Sequence, residues 1–368
     1  GAKKIFLKNK FRKRLRANRE RLKRSTQFRG SSLFELYSFY FEDIYLKHFP
    51  DLAVQAEFLR TCLAKNKIAA VITHSDAPPH ERMTVLTANA CSIPTIHLQH
   101  GYEPASAGNT IGFLRKARYQ FVWGKIHAAI LGETLKKEQI KVVGYTNLNS
   151  LNPPTEASWP SMDRPGTIVL IMHWGTSFCC DAHLTFEENE RLAKLSLEMI
   201  RAFPAKTLII KPRPGDIQTG IYQKLIGQSG LKNARIETGA LIPLLRSCDL
   251  YLHVYSTGAL EGMALNKPGV RLGFILESKK LYMEKMGVRN SFEEYDGEAR
   301  VDRPAAECLV NAVRSIYESK EQKGKWLAER TRFLEDYINY GKGDPVRRFA
   351  EALRECLAGG SGSRVQKN

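Results

Sequence analysis

The sequence predicts an α/β protein made of two Rossmann-like domains that face each other across a cleft. Three observations carry that expectation. Short apolar runs alternate with helical patterns through most of the 368 residues, which is the signature of parallel strands joined by crossover helices. A break at 151–166 holds four prolines, too many for a regular element, and divides the alternation in two. In each half, glycine, hydroxyl and cationic residues follow the ends of strand-like runs, where an open sheet presents loops and helix N-termini to a ligand.

The elements follow in order. Residues 1–30 form a basic arm. From Ser32 to Asn66 the pattern is helical and rich in aromatics, among them Phe34, Tyr37, Phe39, Tyr40, Phe41 and Tyr45, which read as packing residues. A strand over 68–73, a loop and helix to Ala90, strands over 95–98 and 119–123, a helix over 126–139 and a strand over 141–143 complete a first domain, 31–150. After the linker at 151–166, strands over 167–172, 207–210, 234–237 and 250–254 alternate with helices over 187–202, 222–227 and 242–247, and a further helix starts near Gly258. These belong to a second domain, 167–340. A closing helix over 341–358 and a flexible Gly/Ser tail, 359–368, end the chain.

Composition narrows the class. With 43% hydrophobic and 10% aromatic residues the chain can fill two cores. It has no apolar run long enough to span a bilayer and no apolar leader, so the expected location is cytoplasmic, peripheral at most to the inner face of the plasma membrane. Seven cysteines (Cys62, Cys91, Cys179, Cys180, Cys248, Cys308, Cys356) contain no CxxC pair and read as reduced thiols rather than a disulfide framework or zinc site. Of the net charge of +18, the arm contributes +12, from thirteen Lys and Arg against Glu20 alone. Phe11, Leu15 and Leu22 fall near one face of a helix there, so the arm either lies on an anionic membrane surface or is simply solvated. Nucleic acid is not an expected partner, because no recognition motif or aromatic-interleaved basic strand accompanies the charge.

Two segments carry the chemistry. IPTIHLQHGYEP spans Ile93 to Pro104. KPRPG, Lys211 to Gly215, is followed after a spacer ending in Cys248-Asp249-Leu250 by YSTGALEGMALNKPGV, Tyr255 to Val270. The second pair resembles the C-terminal half of GT-B glycosyltransferases, especially bacterial surface-polysaccharide enzymes: capsule Kdo transferases, sialyltransferases and teichoic-acid glycerophosphotransferases. HLQHG resembles the acceptor-domain loop of the same group, and YINYGKGDPVRRFAEAL its closing helix. The resemblance covers roughly residues 67–350. It implies a GT-B fold and transfer of a sugar from a nucleotide-activated donor to a cell-surface glycan or lipid-linked acceptor, without a metal or other cofactor.

Such an enzyme must stabilise a departing nucleotide phosphate, and cations and helix N-termini serve in place of a metal. Ser256, Thr257 and Gly258 sit where a strand becomes a helix, so hydroxyls and backbone N–H groups are available to phosphate oxygens, and Gly258 allows close approach. The resemblance assigns Glu261 to the donor ribose hydroxyls; the alternative is an ordinary first-turn acid. The prolines of KPRPG hold Lys211 and Arg213 on a rigid loop. Related families carry histidine at the position of Arg213, and an arginine can only bind charge there. His173, Trp174, Gly175 and Thr176 follow the first strand of the second domain, and are candidates for donor contact or for a capping loop, with Ser177 as a cap. For the base, His100 stands at a strand's C-terminal end beside Gly101, and an imidazole is the side chain suited to proton abstraction near neutral pH. Asp76, Glu81 and Glu103 are rival bases. His97 points to the other strand face and reads as core. A CDP-glycerol-type glycerophosphotransferase, a nucleotide-sugar 2-epimerase and a non-catalytic scaffold remain as alternative functions on the same fold.

Overall fold

The computed structural model describes residues 2–28, 31–74, 78–101, 105–106, 116–147, 151, 159–173, 175–176, 184–216, 219–254, 256–276, 288–289, 296–318 and 320–361. The chain divides into two compact units, one of residues 1–99, 113–121 and 353–368, the other of residues 100–112 and 122–352. Among the described residues no helix is long and apolar enough to cross a membrane.

The first unit opens with helices α1 (Ala2–Ala17) and α2 (Arg19–Ser25). The short helices α3 (Leu33–Leu36) and α4 (Ser38–Asp43), a π-helical turn Ile44–His48, and α5 (Phe49–Lys65) follow. The arm is therefore helical, and its apolar stripe is turned inward. Leu15 is buried, Leu7, Phe11 and Leu22 are half-buried, and the Phe11 ring meets Phe49 edge-on at 6.2 Å. Lys4 and Lys3 reach Asp51 and Glu57 of α5 at 2.5 and 3.7 Å. The expectation that Phe11, Leu15 and Leu22 form a lipid-facing stripe is thus corrected: burial of a large apolar side chain is worth about 1.5–3 kcal/mol, and α5 offers it within the chain. The aromatic stretch read as packing is split. Phe34 is buried, whereas Tyr37, Phe39 and Tyr40 are exposed.

Beyond α5, parallel strands β1 (Val71–Thr73), β2 (Thr95–Leu98) and β3 (Tyr119–Val122) lie in register, Ile72 opposite Ile96 and Ile96 opposite Tyr119. With β4 (Ile140–Val142) they make a four-stranded sheet of order β1-β2-β3-β4. Helix α6 (Pro79–Ala90) starts on a proline at its first position and buries Val85 and Ala88. His97 is buried, as its strand alternation predicts.

The second unit is built on a parallel sheet of order β7-β6-β5-β8-β9-β10, comprising β5 (Gly166–Ile171), β6 (Lys206–Lys211), β7 (Ala234–Ile236), β8 (Leu250–His253), β9 (Gly269–Leu272) and β10 (Ala299–Val301). Alternate residues serve opposite faces. Ile168, Leu170, Leu208, Ile210 and Leu252 pack under helices Phe186–Ile200 and Ala306–Glu318, while Val169, Ile171, Ile209 and Tyr251 pack under helices Thr257–Ala264 and Lys320–Ile338. A sheet buried on both faces explains why its strands read as continuous apolar runs. Strands β9 and β10, of four and three residues, are not among the strands expected from the sequence.

Packing fixes the rest of this unit. Helix Phe186–Ile200 starts on a capping box in which the Glu188 N–H donates to Thr185 Oγ1 at 3.1 Å and the Thr185 N–H donates to Glu188 Oε2 at 2.7 Å. Sequence reasoning placed a cap at Ser177, outside the described residues. Lys206 Nζ is buried against Asp249 at 2.6 Å and also donates to the carbonyls of Ser161 and Arg164, anchoring the end of the proline-rich linker. The closing helix runs Pro345–Ser361 after a break containing left-handed Asn339, Gly341 and Gly343, and its Arg348 Nε donates to the Val143 carbonyl at 3.1 Å.

Candidate active site

The sequence folds locally so that one end of the six-stranded sheet collects the charged and hydroxyl side chains. Strand β6 ends at Lys211, and Pro212 and Pro214 then turn the chain without needing backbone donors. Strand β8 ends at His253, and Ser256 caps the helix Thr257–Ala264, its Oγ accepting from the Gly258 N–H at 3.2 Å. Lys211, Arg213, Ser256, Thr257, Gly258 and Glu261 line one cavity of about 370 Å³, with Ile171, Met172 and Leu241 as its apolar wall.

Each group has an environment that adjusts its chemistry. Lys211 is buried and its Nζ donates to the Pro212 carbonyl at 2.7 Å. Burial lowers its pKa below 10.5, and burial likewise lowers that of Arg213. Both cations are held partly desolvated, a state that an incoming anion relieves. Glu261 is pushed the other way, above 4.5, by burial, against a smaller opposing effect of the hydrogen bond from Tyr145. The Tyr145 hydroxyl donates to Glu261 Oε1 at 2.6 Å and accepts from Asn147 Nδ2 at 3.2 Å. Its ring is held edge-on against Trp123 at 4.7 Å.

Gly258 has a steric reason to be glycine: a Cβ there would stand 2.5 Å from Leu241 Cδ2 and 3.4 Å from Ile171 Cδ1. The HLQHG loop also comes to this place. A Cβ on Gly101 would lie 3.8 Å from Thr257 Oγ1, ordinary contact distance, and the neighbouring His100 is exposed.

The structure thus gathers Lys211, Arg213, Ser256, Thr257, Gly258 and Glu261, with Gly101 beside Thr257. The other candidates are placed differently. His173 is buried, and its carbonyl accepts from Asn189 Nδ2 at 2.9 Å. Gly175 and Thr176 pair in parallel with Leu184 and Thr185. Glu81 is in the first turn of α6, half-buried. Trp174, Asp76 and Glu103 lie outside the described residues. Sequence reasoning missed Tyr145, Met172 and Leu241. The one available signal for Tyr145 was Gly144 before it, which takes φ +88° and turns the chain after β4.

No protein-family model matches the sequence, and neither does any curated protein. Solved structures do match. The UDP-GlcNAc 2-epimerase of Methanocaldococcus jannaschii aligns with a TM-score of 0.53 at 15% identity, over 87% of this chain and 90% of that one. That of Neisseria meningitidis, bound to UDP-GlcNAc, also gives 0.53 at 15% identity, over 83% and 81%. S. aureus MnaA with UDP gives 0.56 at 17% identity, over 83% and 79%. The chain shares their GT-B-type α/β fold. At these identities the architecture is what is held in common; the six cavity residues rest on this chain's own geometry.

Proposed function

We propose that the protein binds a nucleoside-diphosphate sugar, with its diphosphate at the start of helix Thr257–Ala264, and transfers the sugar to a hydroxyl of a glycan or lipid-linked acceptor. The observation that carries this reading is the single cavity in which Lys211, Arg213, a hydroxyl-capped helix N-terminus and Glu261 converge. A diphosphate is complementary to that set: two cations, the Ser256 and Thr257 hydroxyls and the positive end of the helix dipole suit the phosphates, and a carboxylate suits a vicinal diol. The fold shared with proteins solved with UDP and UDP-GlcNAc favours uridine as the base.

As the bond to the sugar breaks, negative charge grows on the leaving diphosphate. Lys211, Arg213 and the helix N-terminus are placed to stabilise it without a metal. The acceptor hydroxyl must lose a proton, and His100, exposed on the loop whose Gly101 abuts Thr257, is the group assigned to take it. A second reading, a UDP-sugar 2-epimerase, is favoured by the fold likeness itself.

Calorimetry without metal, titrating UDP, CMP, CDP and GDP, tests the site. Selective binding of UDP is expected. Selectivity for CMP or CDP would move the donor class to CMP-sugars or CDP-glycerol, and no binding of any nucleotide would refute the reading. Incubation with UDP-GlcNAc alone, followed by proton NMR, separates the two activities: inversion at C2 without an acceptor would establish the epimerase.

A further inference from the structure

The first unit exposes a second feature that a nucleotide site does not explain. Helix α1 buries the stripe Leu7, Phe11 and Leu15 against the Ile44–His48 turn and α5, so its opposite face is turned outward. That outer face carries Ile5 and Phe6, 62% and 64% exposed, together with Lys13 and Arg16, with Lys10 on its flank. No carboxylate among the described residues pairs with these three cations. Helix α4 packs against the same turn. Beside and on it Tyr37, Phe39 and Tyr40 form an exposed aromatic cluster, the Phe39 and Tyr40 rings 5.9 Å apart and Tyr37 and Tyr40 6.2 Å apart, with Phe39 74% exposed. The turn that joins them exposes Ile44 and Lys47.

Single exposed apolar residues are ordinary; several on adjoining elements are not, and around those of α1 every charge is positive, while Glu35 and Glu42 stand exposed near the α4 aromatics. We infer that α1, the Ile44–His48 turn and α4 form an interfacial membrane anchor that lays Ile5, Phe6, Tyr37, Phe39 and Tyr40 into the headgroup region of an anionic lipid surface. Charge complementarity selects this occupant. Residues 1–30 hold thirteen cations against one acid; Lys3, Lys4 and Lys23 pair with carboxylates of the chain, and those on the outer face of α1 match anionic headgroups, while aromatic rings favour the boundary between headgroups and acyl chains. An aliphatic Ile5 and rings set outward gain by leaving water, which a phosphate backbone alone does not offer them. The face used is opposite to the Phe11–Leu15 stripe, which is consumed in folding.

The test is co-sedimentation of the full chain with vesicles of phosphatidylcholine alone or mixed with phosphatidylglycerol. Binding is expected only to the anionic vesicles and should weaken with added salt. Phe39→Ser with Tyr40→Ser should lower partitioning by about tenfold while leaving the salt dependence intact. Lys10→Glu with Lys13→Glu should lower it by about tenfold or more and flatten the salt dependence. Circular dichroism melts of both exposed-site variants should match wild type. Failure to bind anionic vesicles, equal binding to phosphatidylcholine, or unchanged partitioning of both variants would overturn the proposal. So would a concentration-dependent dimer abolished by Phe39→Ser, which would assign the face to a second copy, or displacement of vesicles by a single-stranded oligonucleotide at lower concentration than by soluble glycerol phosphate.

Discussion

The hydroxyl of Tyr145 donates to Glu261 Oε1 at 2.6 Å, joining residues 116 positions apart. Glu261 therefore presents a carboxylate with one oxygen already engaged and its orientation set, while the Tyr145 ring is wedged against Trp123. Burial raises the pKa of both groups, that of Tyr145 first by burial and then by the nearby Glu261 charge. The hydrogen bond from Tyr145 acts against burial and favours the ionised carboxylate.

Tyr145→Phe should weaken UDP binding by about 1 kcal/mol, the worth of one hydrogen bond, with little loss of stability. It removes the donor that favours the ionised carboxylate, so the pKa of Glu261 should rise further. Ligand affinity that needs ionised Glu261 falls as pH drops through that pKa, and in the variant this acid limb should move to higher pH. Calorimetry across the acid range reads both effects. An unmoved limb would remove Glu261 from the ligand site.

Lys211 should give an alkaline limb. Its pKa in the free protein is lowered below 10.5 by burial, and a bound diphosphate would raise it again, so binding is strongest while the amine is protonated and fades as pH rises through the lowered free value. Lys211→Met should cost about 1.5–3 kcal/mol of UDP affinity, the range for hydrogen bonds to charged groups, and leave uridine binding unchanged. Equal losses for UDP and uridine would show that the lysine supports the fold rather than the phosphates.

Two glycines of one helix should behave differently. A Cβ on Gly262 would lie 2.4 Å from Tyr251 Cε1, and that ring is pinned by its hydroxyl donating to Glu298 Oε1 at 2.5 Å. Gly262→Ala should therefore destabilise by about 1–3 kcal/mol, the usual cost of overpacking. A Cβ on Gly258 meets the tip of Leu241, which can yield into the cavity. Gly258→Ala should lose less stability and more nucleotide affinity. Urea titration and calorimetry on both variants check the contrast.

Glu298 is buried with His253, Nε2 to Oε2 at 2.8 Å, and with the Tyr251 hydroxyl. Burial alone would raise its pKa; the His253 charge, hydrogen bonds from His253 and Tyr251, and Arg271 outweigh burial and hold it below 4.5. A lowered pKa means stability that is present above 4.5 and lost as pH falls through the folded value. Glu298→Gln should cost about 3 kcal/mol at neutral pH and show a shallower loss of stability as pH falls below 4.5. Parallel pH dependence in variant and wild type would refute the role of this carboxylate.

Local pattern alone determined the alternation of strands and helices, the burial of His97 and the placing of Lys211, Arg213 and Ser256 at and just after strand ends, with Thr257, Gly258 and Glu261 in the first turns of the helix that follows. These follow from periodicity and from the geometry of a parallel sheet, which sends such loops to one edge. Tertiary structure decided which side of α1 is inside, since a helix with apolar residues on more than one face is oriented by its partner, here α5 through Phe49, Asp51 and Glu57. It likewise decided that Tyr145 sets Glu261 and that Leu241 closes the cavity wall. Contacts between residues a hundred positions apart depend on how crossovers fold back over a sheet, and that information is spread through the whole core rather than written beside either residue.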